Sequence, residues 1–341
     1  MIIRVVAVSI LVGVATLGLP QQAAGQASLF TEGQGSRRGP IPAWDTAWVF
    51  VGDDAHLASA TQLLPDAQGG VFFIDQLLLE VHHLDPQGRL DWTWGREGSG
   101  PGEIRALRAM ALDGNGNVVL VDYGNRRIVT LSPEGRLLRE VPLAIDAGYV
   151  SGVAVLESGD YVVATERAVP WVLVDQTGRR VQEVDTPQAM AELSFLQRTG
   201  LTSKWKQDRW VFGFQFGNGW FTFREGEVEL ASPYVEHTEF PPRDATRLPL
   251  DETVPSAASL SVRDDTLTVL FAGSGRGQLH WLDHYDLQTG EYLNSWFLPQ
   301  PAKYAVVGTG GNVFMVTYDL IPTVMALRPR PRSSRGEANR P

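Results

Sequence analysis

The sequence predicts an all-β chain folded as a six-bladed β-propeller, with four antiparallel strands per blade and the ring closed by an N-terminal strand that completes the last blade. Three observations carry this. A turn followed by an apolar, β-rich run recurs six times, and a second turn recurs five times in step with it. An orphan strand, Ala47-Trp-Val-Phe-Val51, stands upstream of the first repeat.

In chain order the first turns are Asp66-Ala-Gln-Gly-Gly70, Asp113-Gly-Asn-Gly-Asn117, Glu157-Ser-Gly-Asp160, Lys206-Gln-Asp-Arg209, Arg263-Asp-Asp265 and Gly308-Thr-Gly-Gly-Asn312. The runs that follow them are Val71 to Ile74, Val118 to Val121, Tyr161 to Ala164, Trp210 to Phe214, Leu267 to Phe271 and Val313 to Val316. The second turns are Asp85-Pro-Gln-Gly88, Ser132-Pro-Glu-Gly135, Asp175-Gln-Thr-Gly178, Arg224-Glu-Gly226 and Leu287-Gln-Thr-Gly290. The sixth is missing because the chain enters its tail after Val324 to Leu327. Pairing that strand with Ala47 to Val51 supplies the absent outer strand and closes the ring. Two connectors break the pattern. Thr186-Pro-Gln-Ala-Met-Ala-Glu-Leu193, with Thr at the N-cap and Pro at the first helical position, predicts a short helix between blades three and four. Residues 233–256, rich in Pro and charge, predict a long loop from the outer strand of blade four to the inner strand of blade five, on the upper face.

One repeat is complete: Gly95-Arg-Glu-Gly-Ser-Gly-Pro-Gly-Glu-Ile104, then Leu112-Asp-Gly-Asn-Gly-Asn-Val-Val-Leu-Val-Asp-Tyr-Gly-Asn-Arg-Arg-Ile128. It resembles the NHL repeat of six-bladed propellers, in the TolB-like propeller superfamily, over residues 95 to 140. The resemblance implies structural roles for Asp122, Asn125 and Arg127, with Arg127 bridging within its own blade. Arg126 stands where the family often has His.

A content of 43% hydrophobic residues with 35 Gly and 21 Pro suits a folded, turn-rich chain. One domain is expected over 44–329, between a flexible segment, 26–43, and a disordered basic tail, 330–341. Residues 1–25 carry Arg4, an apolar run from Val5 to Leu19 and small residues at Ala23-Ala24-Gly25, the pattern of a signal peptide. A periplasmic or secreted protein with no stable membrane anchor after cleavage follows. The absence of Cys excludes disulfides, lipoprotein acylation and thiolate chemistry. A net charge of −10, lower by one when a leader carrying Arg4 is removed, argues against nucleic acid.

The chemistry is harder to read. Lactonases with related propellers hold calcium at the channel mouth, yet the inner strands here are expected to begin near Thr61, Arg108, Gly152, Thr202, Ser259 and Lys303, which include no carboxylate. The second strands end at Asp75, Asp122, Thr165, Phe214, Phe271 and Thr317, of which two are acidic. Related amidating lyases use several His for zinc. The six His here are His56, His82, His83, His237, His280 and His284. Along a strand of about 3.3 Å per residue, His280 and His284 lie too far apart to share an ion, and His82 and His83 point to opposite faces. No Gly-x-Ser-x-Gly elbow occurs, and the Gly95 to Gly102 segment lacks the Lys-Ser/Thr of a phosphate loop. Most of the blade-four aromatics between Trp205 and Phe223 suit interblade packing, which leaves Trp220, beside Asn218, to stack on a sugar or peptide.

The sequence therefore suggests a noncatalytic, monomeric module, without metal or cofactor, that binds a protein, peptide or glycan through its upper face. The expected surface is the 233–256 loop with Glu236 and His237, together with Arg96, Arg126, Arg167, Asn218, Trp220 and Arg276. The alternative is a propeller hydrolase or lyase with a metal in the central channel.

Overall fold

The structure, a computed structural model, describes residues 30, 32–39, 41–52, 57–146, 148–165, 170–184, 190, 193–194, 196–238, 255–273, 278–317 and 319–330. An N-terminal strand, β1 (Trp44–Val51), precedes the first blade. Blade one is β2 (Ala60–Pro65), β3 (Val71–Asp75), β4 (Glu80–Leu84) and β5 (Leu90–Trp94). Blade two is β6 (Leu107–Leu112), β7 (Val118–Asp122), β8 (Arg127–Leu131) and β9 (Leu137–Pro142). Blade three is β10 (Val150–Val155), β11 (Tyr161–Thr165), β12 (Trp171–Val174) and β13 (Arg180–Glu183). Blade four is β14 (Gly200–Lys204), β15 (Arg209–Phe214), β16 (Trp220–Arg224) and β17 (Glu227–Ser232). Blade five is β18 (Ala257–Arg263), β19 (Thr266–Phe271), β20 (Trp281–Asp286) and β21 (Tyr292–Phe297). Blade six is β22 (Ala302–Val307), β23 (Val313–Thr317) and β24 (Thr323–Pro329), with β1 as its outer strand.

The protein is thus a six-bladed propeller closed by both ends of the chain. Thr46 pairs with Leu327 and Phe50 with Val324 across the seam. Strands β3, β7, β11 and β23 are buried at every position because each is covered on both faces by neighbouring blades. Their sequences are accordingly unbroken apolar runs rather than alternations. The buried side chains form six clusters, each shared by two adjacent blades. At one such interface Trp171 of blade three packs against Phe212 and Phe223, while Trp210 stacks on Phe223 at 3.9 Å. Outer turns also lock onto the preceding blade. Gly178 (φ 82°) passes so close to β9 that a Cβ there would meet the Pro142 carbonyl oxygen at 1.8 Å.

The segment expected to be flexible, 26–43, is instead held over its described part. Phe30 packs on Phe221. Gln34 donates its amide to Ser232 Oγ and to the carbonyls of Pro233 and Gly290, and accepts from Tyr292 N. Ser295 N donates to the Arg38 carbonyl, and Trp44 Nε1 to that of Phe297. The segment is a strap along β21, the outer edge of blade five, and it satisfies backbone groups that would otherwise be open to another chain. Residues 1–25, the expected helix over 186–193 except Met190 and Leu193, the loop from 239 to 254 and the tail from 331 onward lie outside the described residues. No helix among the described residues is long and apolar enough to cross a membrane.

Candidate functional site

The upper-face residues expected from sequence do not converge. Asn218 and Trp220 are fully buried. Trp220 opens β16 rather than lying in a loop, and its ring meets Tyr285 edge-on in the blade-four to blade-five core, so it has no face free for stacking. Asn218 Nδ2 lies 2.9 Å from His237 Nδ1 and reaches the Glu32 carbonyl. Glu236 pairs with Arg37 of the strap. Asn218 and Glu236 thus hold the N-terminal segment in place, with His237 set against Asn218. Arg96 is exposed and pairs with Glu103 at 3.0 Å. Arg126 (φ 54°) is exposed and reaches the Ile145 carbonyl. Arg167 and Arg276 lie outside the described residues.

In blade two Asp122 is a hub. Its Oδ1 accepts from the backbone N–H groups of Arg105, Ala106 and Asn125, each at 3.2 Å, and its Oδ2 from Asn125 Nδ2 at 2.7 Å and Arg127 Nε at 3.3 Å. Arg127 also donates to the carbonyls of Gly100 and Glu103 and pairs with Glu140. Asp75 accepts from Ala58, Ser59, Leu77 and Leu78 without any Asn-x-Arg partner. Both carboxylates stitch the incoming connector to the upper turn, and both are saturated with donors.

The upper end of the central channel is shaped by bulges that sequence reading missed. Five inner strands slip register near their upper ends, between Thr61 and Leu64, Leu107 and Ala109, Val150 and Gly152, Ala257 and Ser259, and Ala302 and Tyr304. The inner strands begin one or two residues before the expected positions; in five of them an extra residue contributes to the shift, whereas β14 pairs with β15 without a bulge. The extra residues Gln62 (φ 49°), Arg108, Ser151 and Ala258 all line one cavity of about 110 Å³. Tyr149, Gln215 and Tyr304 complete its walls, and its lining contains no carboxylate. The Arg108 guanidinium stands 4.6 Å from the Tyr149 ring centroid, and the Tyr149 hydroxyl is buried without a partner among the described residues. Burial pushes the Tyr304 phenol up, with the Arg108 charge pulling against it.

The histidines are placed apart from this mouth. His82 stacks on Phe73, with Nδ1 2.9 Å from Thr93 Oγ1, and His284 Nδ1 lies 2.9 Å from Thr268 Oγ1. Burial pushes both imidazoles down to about 4. His83 lies between Asp66 and Asp91; burial opposes its charge, but the two carboxylates hold its pKa above the ordinary value. His280 precedes β20 and stacks on Phe297, and His56 lies outside the described residues. No three His, Asp or Glu side chains converge as a metal site among the described residues.

No known family profile and no curated protein matches this chain. Solved structures do. A candidate exported protein of Bacteroides fragilis is 11% identical with a TM-score of 0.53, over 81% of this chain and 90% of that one. The Pan2 WD40 domain of Neurospora crassa is 10% identical with a TM-score of 0.52, over 87% and 98%. Virginiamycin B lyase of Staphylococcus aureus is 13% identical with a TM-score of 0.50, over 80% and 81%. At these identities the likeness is one of fold: a β-propeller.

Proposed function

We propose that the protein is an exported, noncatalytic propeller of the NHL-repeat kind that binds a partner protein or peptide at its upper face, with a carboxylate of the partner seated at Arg108. The ring of bulges carries this reading. A bulge adds a residue at the cost of ladder hydrogen bonds and re-aims its side chain, and here four such residues line one small polar cavity. A cavity with a cation, an unpartnered hydroxyl and no carboxylate favours an anionic group over a metal ion. Recognition in this reading does not rest on the expected loop, because Glu236 at its base is committed to Arg37 of the strap and His237 to Asn218.

The test is binding of matched peptides with free and amidated C-termini, and with Glu or Gln at the same position, to the purified mature protein. Arg108→Ala is expected to erase the preference for the carboxylate forms, while a Gly-Ser linker in place of 239–252 retains it. Loss with the linker alone would return the site to the rim of blades four and five. Stoichiometric calcium or zinc in the purified protein would favour the hydrolase or lyase alternative instead.

A further inference from the structure

At the lower end of the axis, where the first turns of the blades meet, a cavity of about 710 Å³ opens between the inner strands. Leu63, Phe72, Met110, Val153 and Leu260 give it apolar walls. A second cavity of about 520 Å³ lies between blades two and three. The two share the turn from Asp113 to Asn115 and Lys204 in their linings, which sets an apolar chamber beside a more polar arm.

The charges on this rim are unequally satisfied. Asp113 accepts from the backbone of Asn115 and Asn117 and from Asn117 Nδ2, at 2.8 to 2.9 Å. Asp66 takes the N–H groups of Gln68 and Gly70 on one oxygen and faces His83 at 2.8 Å with the other. Lys206 pairs with Asp265 at 2.6 Å, and Arg263 donates to the Gly308 carbonyl. The Lys204 ammonium, at the junction of chamber and arm, has no ion-pair partner among the described residues. Within the arm Thr130 is only 7% exposed, and its hydroxyl has no partner among the described residues.

The geometry points to a binding site for a single-chain amphiphile with a carboxylate head, its hydrocarbon chain in the axial chamber and its head at Lys204. Pockets of roughly 300–1,000 Å³ with apolar walls and a few polar anchors are the size that encloses small organic ligands. A neutral lipid would leave the ammonium without a counter-charge. A polyanion would meet the carboxylates of Asp66, Asp113, Glu157 and Asp264, which also line the two cavities. The site lies at the opposite end of the axis from Arg108, and its test is independent of the upper-face reading.

The test is titration calorimetry of the mature protein with decanoate below its micelle concentration, against 1-decanol and decyltrimethylammonium. One decanoate per chain is expected, with decanol about tenfold weaker or worse and no binding of the cationic amphiphile. Lys204→Ala is expected to weaken decanoate about tenfold and leave decanol unchanged, and Arg108→Ala to leave both unchanged. Gly114 lines both cavities, and a Cβ there meets nothing within 4 Å. Gly114→Trp should therefore abolish binding of either ligand while preserving the melting temperature. Equal affinity for all three head groups, several ligands per chain, or undiminished binding to Gly114→Trp would overturn the assignment.

Discussion

Replacing Arg37 by Ala should destabilise the protein far more than its place in an N-terminal extension suggests. Its Nε and one terminal nitrogen fork onto the two oxygens of Asp283 at 3.0 and 2.9 Å, another nitrogen meets Glu236, and the guanidinium lies 4.0 Å from the Phe271 ring centroid. Asp283 is 1% exposed and keeps only the Ser295 hydroxyl once the fork is gone. Removing one partner of such a buried pair costs about 3–5 kcal/mol, because the remaining charge is left in a poor solvent. With an unfolding entropy of roughly 0.6 kcal/mol/K for a domain of this size, the melting temperature should fall by about 5–8 °C. Burial already pushes the Asp283 carboxyl up against the pull of Arg37. Without Arg37 the folded state takes up that proton before the unfolded chain does, so the deficit is greatest at neutral pH and shrinks as the pH falls. Asp283→Asn in the Arg37→Ala background should recover part of the loss. Differential scanning calorimetry of the purified protein at a fixed scan rate, from neutral to mildly acid pH, measures each of these. A shift below about 1 °C, or a deficit that does not change with pH, would refute the reasoning.

Arg127→Ala should cost about 1–3 kcal/mol in denaturant unfolding, since the Gly100 and Glu103 carbonyls lose their Arg127 donor and Asp122 loses its ion pair, whereas Arg126→Ala, at an exposed position, should change little. His82 and His284, held near 4 by burial, bind protons in the unfolded chain first, so stability should fall from about pH 6.5 toward 4, by up to about 3 kcal/mol for each. His284→Gln should flatten that slope in urea titrations at stepped pH. His83 acts oppositely: its raised pKa contributes stability below about 6.5 that is lost as the pH rises through its folded value, which Asp91→Asn should reduce. Deleting residues 26–52 removes both the strap and β1, leaving β24 unpaired, so aggregation or a large loss of stability is expected by light scattering and calorimetry.

Much of the ring was legible because its determinants are local. Asp-Gly turns and fully buried second strands such as Val118–Asp122 show themselves within a few residues, and the seam was readable because a turn was missing where β1 had to fit. The strap was not legible. Its run Gly33-Gln-Gly-Ser-Arg-Arg-Gly39 has the composition of a linker, and every contact that orders it is made with the far half of the chain, as in Gln34 with Ser232 and Arg37 with Asp283. The bulges were hidden too. Leu107-Arg-Ala-Met-Ala-Leu112 fits a regular strand as well as a bulged one, and only pairing with β7 shows Arg108 to be the extra residue. Trp220 did carry a signal, since Trp220-Phe-Thr-Phe223 continues the aromatic pattern of blade four into its third strand.

The seam between β1 and β24 also bears on how the molecule comes into being. Each of the first five blades can form its sheet from consecutive residues, but the sixth waits for the last strand to emerge and then recruits one from the opposite end. Such pairing carries the highest loop-closure cost in the chain and tends to come late in folding. A polypeptide interrupted before Thr323 would have most of its blades and no closed ring, with β1 left available to a neighbouring chain. Emergence of β24 is in this sense a checkpoint built into the topology: only a chain that has reached Pro329 can withdraw its own first strand from intermolecular pairing.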